Sequence, residues 1–139
     1  MAHPLLVVDA SAAAALLLAE EEGEEVAELI RNTIAINGQI FVPGLFWFEL
    51  GNVLVTAERA DRLTARSSSQ ALSDFTRLPI VTHPQSDFTA ADRILTLSRE
   101  NGLSYYDASY LELALRLRAP LKSYDSHLLS LRTAFPLIL

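Results

Sequence analysis

Residues 5–17, LLVVDASAAAALL, join a run of apolar and β-branched residues to an aspartate and an alanine-rich stretch. The apolar run 5–8 is typical of a buried strand, whereas alanine and leucine favour a helix. Asp9 lies at the end of the predicted strand, and Ser11 is predicted to cap the helix. The segment therefore predicts a strand, an acidic turn and a helix, which together begin a crossover unit.

The rest of the chain continues this alternation of short apolar strands with longer helices. Such alternation implies crossover units, a parallel sheet and helices on both of its faces. The predicted fold class is therefore α/β, in three layers (α/β/α) with a central parallel sheet. Further strands are predicted at 40–42, 80–82, 121–123 and 137–138, and further helices at 24–36, 45–60, 64–78, 86–101, 107–118 and 126–132.

Length and composition limit the kind of protein this is. The chain has 139 residues, of which 50% are apolar and 20% charged. Because this length matches the usual size of one domain, we predict a single domain over residues 1–139. The sequence has no cysteine, which excludes disulfides, thiolate metal sites and cysteine nucleophiles and favours a reducing cytoplasm.

The chain is acidic, with a formal net charge of −6. Affinity for nucleic acid comes largely from Lys and Arg, so this charge argues against tight non-specific binding. It does not argue against nuclease chemistry, because a divalent cation would offset a cluster of acids. The N-terminal apolar run is interrupted by Asp9 and lacks a preceding basic segment, so we expect neither a signal peptide nor a membrane anchor.

Three acidic residues fall at junctions between predicted elements. Asp9 ends the first strand, Asp125 follows the strand at 121–123, and Asp107 opens a helix. Ligands of open parallel sheets collect at the carboxyl ends of the strands, so we expect these acids at one edge. Glu49 lies instead within an apolar helical stretch, where Asn52, three residues later, could hold its carboxylate or a bound water.

Carboxylates that lie close together repel one another unless a cation neutralises them. Hard oxygen donors suit Mg²⁺ or Mn²⁺, and such an ion can activate water and stabilise a phosphate under attack. The cluster thus favours phosphodiester hydrolysis. Taken singly, the aspartates could also be helix caps, and Glu49 could be a snorkelling or ion-paired helix residue.

Four segments resemble, in order, the motifs of PIN domains, and in particular those of the VapC toxins of toxin–antitoxin pairs. The resemblance spans nearly the whole chain, and the order and intervals of the motifs make it specific although each motif alone is weak. The matching segments are VVDASAAAALLL (7–18), PGLFWFELGNVL (43–54), LSYYDASYLELAL (103–115) and KSYDSHLLSL (122–131).

The resemblance implies a Mg²⁺- or Mn²⁺-dependent ribonuclease, the toxin of a type II toxin–antitoxin module. The closing motif usually carries a threonine, for which Ser123 keeps the hydroxyl. The resemblance also implies a homodimer and a VapB-like antitoxin whose C-terminal segment covers the site. The implied catalytic and metal-binding acids are Asp9, Glu49, Asp107 and Asp125, supported by Ser11, Asn52 and Ser123.

Other residues and other protein classes leave alternatives open. Among Phe46, Trp47 and Phe48, one or more could contact a partner, or all could pack between helices. Rival functions are a signalling receiver domain, a haloacid-dehalogenase-like phosphatase, which would need an Asp in place of Ser11, and an inactive PIN-fold binding module. The remaining basic candidates form no cluster with ligand spacing, and we interpret them as structural or solvated: Lys122, His3, His83 and His127.

Overall fold

The fold is built around a four-stranded parallel sheet. The computed structural model describes residues 4–84 and 87–139. The strands lie in the order β3-β2-β1-β4, and every adjacent pair is parallel. This arrangement confirms the predicted α/β class with a central parallel sheet. The strands are β1 (Leu5–Val8), β2 (Gln39–Pro43), β3 (Ile80–His83) and β4 (Leu121–Lys122).

Helices cover both faces of this sheet in a three-layer arrangement. The buried core joins the strands to the helix that contains Asp107, where Ala108–Ala114 are all buried. Among the described residues, no helix combines the length and apolar character needed to span a bilayer. The helices are α1 (Ala10–Leu17), α2 (Gly23–Ala35), α3 (Leu45–Arg59), α4 (Ala65–Thr76), α5 (Phe88–Asn101), α6 (Tyr105–Leu117) and α7 (Ser126–Leu129).

Helices α1 and α6 begin earlier than the sequence predicts, because a different residue caps each of them. Asp9 rather than Ser11 caps α1, since its carboxylate accepts from the Ala12 amide. Ser104 caps α6 by accepting from the Asp107 amide, so that helix starts at Tyr105 and not at Asp107. The predicted start of α5 at residue 86 lies outside the described residues.

The C-terminal region departs most from the predicted elements. Helix α7 ends at Leu129 instead of residue 132. The predicted strand at 137–138 is wrong, because Ile138 forms only a single parallel bridge with Leu121. Strand β4 also ends one residue early, at Lys122. Ser123, expected to end that strand, is fully buried and turns its side chain toward Asp9.

Candidate active site

Asp9 is the most buried acid at the carboxyl edge of the sheet, with an exposed fraction of 4%. Its Oδ1 accepts from the Ser11 hydroxyl at 2.6 Å and from the Ala12 amide at 2.9 Å. Its Oδ2 accepts from the Ser123 hydroxyl. Burial raises the pKa of the Asp9 carboxyl, although the hydroxyl hydrogen bonds lower it. Three donors, one of them the capped amide of α1, thus hold this carboxylate in one orientation.

The two serines predicted to support the site also fasten the segment after β4 to Asp9. The Ser11 hydroxyl accepts from the Tyr124 amide at 2.8 Å. The Ser123 hydroxyl accepts from the Asp125 amide at 3.0 Å. Because both hydroxyls also donate to Asp9, the loop that carries Asp125 is tied directly to the end of β1.

Glu49 meets a partner that the sequence analysis missed. The Tyr110 hydroxyl donates to its Oε1 at 2.6 Å. Burial raises the pKa of the half-buried Glu49, the Tyr110 bond lowers it, and the charges of the three site aspartates raise it further. Tyr110 lies three residues after Asp107 on α6, and this helical spacing was the signal that could have identified it.

The side chain that donates to Glu49 is Tyr110 and not Asn52. Its side chain is exposed and lines an open cavity of about 400 Å³ together with Ser11 and Glu49. The expectation that its amide holds the Glu49 carboxylate or a bound water stays a prediction.

Asp107 and Asp125 approach each other closely, and His127 joins them. One ligand atom from each of these three side chains lies within 4.8 Å of the other two. Asp125 caps α7 by accepting from the His127 amide at 2.9 Å and the Leu128 amide at 3.0 Å. Burial raises the pKa of Asp107, as does the charge of Asp125, whereas Ser104 and His127 lower it.

The position of His127 corrects the expectation that none of the histidines lies in a ligand cluster. Its Nδ1 lies 3.8 Å from Oδ1 of Asp125. His127 lies two residues after Asp125, which the sequence already places in the site, at the start of the short helix α7. This spacing was the signal that could have identified it. His3 lies outside the described residues.

These donors fit a divalent cation. Mg²⁺ prefers carboxylate oxygen, and Mn²⁺ accepts carboxylate oxygen while also tolerating imidazole. This set of donors is offered by Asp107, Asp125 and His127. The pKa of Asp107 is raised by burial and by the charge of Asp125, and a bound cation would offset that repulsion. Asp9 and Glu49 stand outside this tight group, but their charges reach it: the pKa of Glu49 is raised by Asp9, Asp107 and Asp125. The sheet edge therefore gathers all four acids.

A second set of contacts holds the same loop from its other side. The Lys122 ammonium is 3.0 Å from Oε1 of Glu25 and lies over the Tyr124 ring, 4.5 Å from its centroid. The Tyr124 hydroxyl donates to Oε2 of Glu25 at 2.8 Å. The side chains of Lys122 and Tyr124 therefore contact Glu25 of α2, whereas those of Ser123 and Asp125 lie among the site acids. Lys122 is structural, as interpreted from the sequence, and it is buried and not solvated.

The three successive aromatics on α3 have different environments. Phe46 is fully buried, and Trp47 packs edge-on against it and donates from Nε1 to the Thr82 hydroxyl at 2.8 Å. Phe48 is 81% exposed. The packing interpretation therefore holds for the first two, and only Phe48 remains available to a partner.

Comparison of the sequence with protein families finds one described as "PIN domain", which matches residues 6–133. Comparison with curated proteins finds no match. The family match spans nearly the whole chain and includes all four acids. This match argues against the receiver-domain and phosphatase alternatives.

Solved structures share the fold. A protein from Pyrobaculum aerophilum has a TM-score of 0.70 and 25% identity, over 92% of this chain and 79% of that chain. A toxin–antitoxin complex from Klebsiella pneumoniae gives 0.67 and 19%, over 96% and 95%. VapC20, a Sarcin-Ricin loop cleaving toxin from Mycobacterium tuberculosis, gives 0.58 and 15%, over 87% and 90%.

Proposed function

Because the chain belongs to the PIN domain family, we propose that it is a metal-dependent endoribonuclease that hydrolyses RNA phosphodiester bonds. We further propose that it acts as the toxin of a type II toxin–antitoxin module. The observation that carries the proposal is the gathering of Asp9, Glu49, Asp107 and Asp125 at one sheet edge, where burial raises the pKa of the first three.

In this proposal the acids divide the work of the site. Asp107, Asp125 and His127 provide the closest set of metal donors. A bound Mg²⁺ or Mn²⁺ would supply a Lewis acid that activates water and offsets charge on the phosphate. Asp9 completes the acidic environment in an orientation fixed by Ser11 and Ser123.

Glu49 is the best candidate for proton transfer. Burial raises the pKa of the Glu49 carboxyl above its ordinary value, which strengthens the carboxylate as an acceptor of a proton from water. Tyr110 keeps its Oε1 engaged through a 2.6 Å hydrogen bond, which fixes the direction of the carboxylate. We therefore assign Tyr110 a positioning role through Glu49.

The toxin part of the proposal is supported by likeness to solved structures. One is a toxin–antitoxin complex, and another is a toxin that cleaves the Sarcin-Ricin loop. By analogy, the partner of this chain is a VapB-like antitoxin that covers the active site, and the chain forms a homodimer. A cytoplasmic location stays a prediction.

Cleavage should require a divalent cation. Purified protein free of antitoxin is expected to cut RNA with Mg²⁺ or Mn²⁺ and to be inactive in excess EDTA, because EDTA removes the ion that the cluster of Asp107, Asp125 and His127 would hold to activate water. Gel analysis of total RNA, followed by sequencing of the new 5′ ends, measures both activity and cleavage position. Cutting that persists in EDTA would contradict the metal-dependent mechanism.

Expression of the protein alone is expected to arrest growth of a bacterial host, and co-expression of a small partner encoded beside it should restore growth. The reason is that an unrestrained endoribonuclease destroys RNA needed for translation. Colony counts after induction measure the effect, with Asp107→Asn as the matched control at equal protein levels. Normal growth with abundant folded parent protein would favour a non-toxic nuclease or an inactive binding module.

A further inference from the structure

Two large aromatic side chains stand beside the acids and are open to solvent. Phe48 is 81% exposed and Tyr106 is 61% exposed. Each directly precedes a site acid on its helix, Phe48 before Glu49 on α3 and Tyr106 before Asp107 on α6. Large rings gain stability by burial, so two exposed rings that flank one site favour contact with a ligand.

The two rings lie between two open cavities, because both residues line each of them. The first cavity, about 400 Å³, also includes Ser11, Glu49 and Asn52. The second, about 390 Å³, extends along α6 and includes Arg116. Both volumes fall within the range of small-ligand sites. A chain molecule that crosses the acids can therefore place one unit on each side of the aromatic pair.

The far end of the second cavity is lined by Arg116 and Glu112, and Arg93 lies just outside this lining, bonded to the same Glu112. The buried carboxylate of Glu112 accepts from Arg93 at 3.1 Å and from Arg116 at 2.9 Å. Two guanidinium groups thus share one carboxylate. Nδ1 of His83 lies 3.3 Å from Arg116 and adds a further polar group. Phosphate oxygens are suited to such a cluster.

We propose that Phe48 and Tyr106 form a stacking pair for the bases that flank the cleaved bond of single-stranded RNA, with the strand continuing toward Arg116. The inference rests on the proposed nuclease function and adds the residues that bind its substrate. Aromatic side chains stack on unpaired bases of any sequence, whereas paired bases are not accessible to them. The order of acids, rings and guanidinium groups matches a molecule that alternates phosphates with flat apolar bases better than it matches a peptide.

The first test measures binding in EDTA, where the proposed function predicts no cleavage. The probe is a short single-stranded RNA with a fluorescent purine analogue whose emission falls on stacking. Phe48→Ala and Tyr106→Ala are each expected to weaken binding between about fivefold and a hundredfold, the range that alanine produces at stacking aromatics. They should also abolish the fall in emission. A probe that lacks the base at the same position should bind the parent and both variants alike.

Matched variants separate stacking from general apolar contact. Phe88 is 82% exposed, and it lines neither of the two cavities, so Phe88→Ala should bind and cut like the parent. Phe48→Leu keeps an apolar side chain without a ring and should lose binding, whereas Tyr106→Phe keeps the ring and should retain it. Since both target side chains are exposed, these variants are expected to melt within about 2 °C of the parent.

Cleavage with Mn²⁺ completes the test and separates the possible failures. If the parent cuts RNA while Phe48→Ala and Tyr106→Ala bind and cut like Phe88→Ala, stacking is overturned and the nuclease proposal stands. If these variants cut normally but escape inhibition by the antitoxin, the pair is a protein-docking surface and the inference is overturned. If the parent cuts no RNA, the proposed function falls and the stacking pair falls with it.

Discussion

Asp107→Asn is expected to fold and to cleave RNA at least about a hundredfold more slowly than the parent, and Asp9→Asn should lose a comparable factor. The amide keeps the shape of each side chain but removes a negative charge from the cluster. Replacing even outer groups that only orient metal ligands costs about 10- to 100-fold, so loss of a donor should cost at least the upper figure. Single-turnover rates at saturating Mn²⁺ measure the effect.

Asp61→Asn is the control, because Asp61 is exposed in the turn between α3 and α4. Its backbone has a φ of 55°, which asparagine tolerates. This variant should cut at the parent rate. Tyr110→Phe should give an intermediate loss, about 10-fold or more, as expected for a positioning residue. If Asp9→Asn and Asp107→Asn both cut as fast as Asp61→Asn, the two site acids serve only local structure.

The location of the site could be predicted because it depends on features that are local in the sequence. A buried strand that ends at Asp9 places that side chain at the carboxyl edge whatever the rest of the chain does. The same holds for Asp125 after β4. Helical spacing around Glu49 predicted a partly buried carboxylate, and the structure agrees.

What could not be predicted depends on how distant elements meet. The bond from Tyr110 to Glu49 joins residues 61 positions apart and reaches from α6 to α3. The sequence alone favours Asn52 as the hydrogen-bond donor to Glu49, because Asn52 lies three residues later on the same helix. The apolar pair at 137–138 resembles a strand, but it forms only one bridge, to Leu121. The neighbouring strand β4 is two residues long, and the periodicity of residues 137–138 carries no information on that length.

Local hydrogen bonding also decided details that propensity could not. Asp9 and Asp125 are both helix caps and members of the acidic cluster, so the two interpretations weighed for them are compatible. Asp107 is no cap, since Ser104 holds that position. Its pKa is lowered by the Ser104 hydroxyl and by His127 and raised by Asp125, so its charge interacts with both other members of the donor cluster. That makes it the most informative position for a metal.

Mn²⁺ is expected to stabilise the parent protein and to stabilise Asp107→Asn much less. A ligand at ~100 times its dissociation constant adds about 2.7 kcal/mol to the free energy of unfolding if it binds only the native state. For a domain of this size that corresponds to a rise of roughly 10 °C in melting temperature. Asp61→Asn should show the full parental increment.

The pH dependence in EDTA follows from the raised pKa values of Asp9, Glu49 and Asp107, for which burial is the largest cause. A carboxyl whose pKa is higher in the folded than in the unfolded protein binds protons more readily when folded, so its contribution to stability is full below the unfolded pKa and disappears as pH rises through the folded pKa. The melting temperature without metal should therefore rise as the pH falls from neutral toward the ordinary carboxyl values of 3.8 and 4.5. Glu25 acts in the opposite direction only at the acidic end, because Lys122 lowers its pKa below 4.5.

With Mn²⁺ the trend should reverse, since protons compete with the ion for the same oxygens. In EDTA at neutral pH, Asp107→Asn should melt above the parent, because one of the repelling charges is gone. Thermal melts across pH, with EDTA and with Mn²⁺, measure all three effects, and equal Mn²⁺ increments in the parent and Asp107→Asn would remove Asp107 from the metal site.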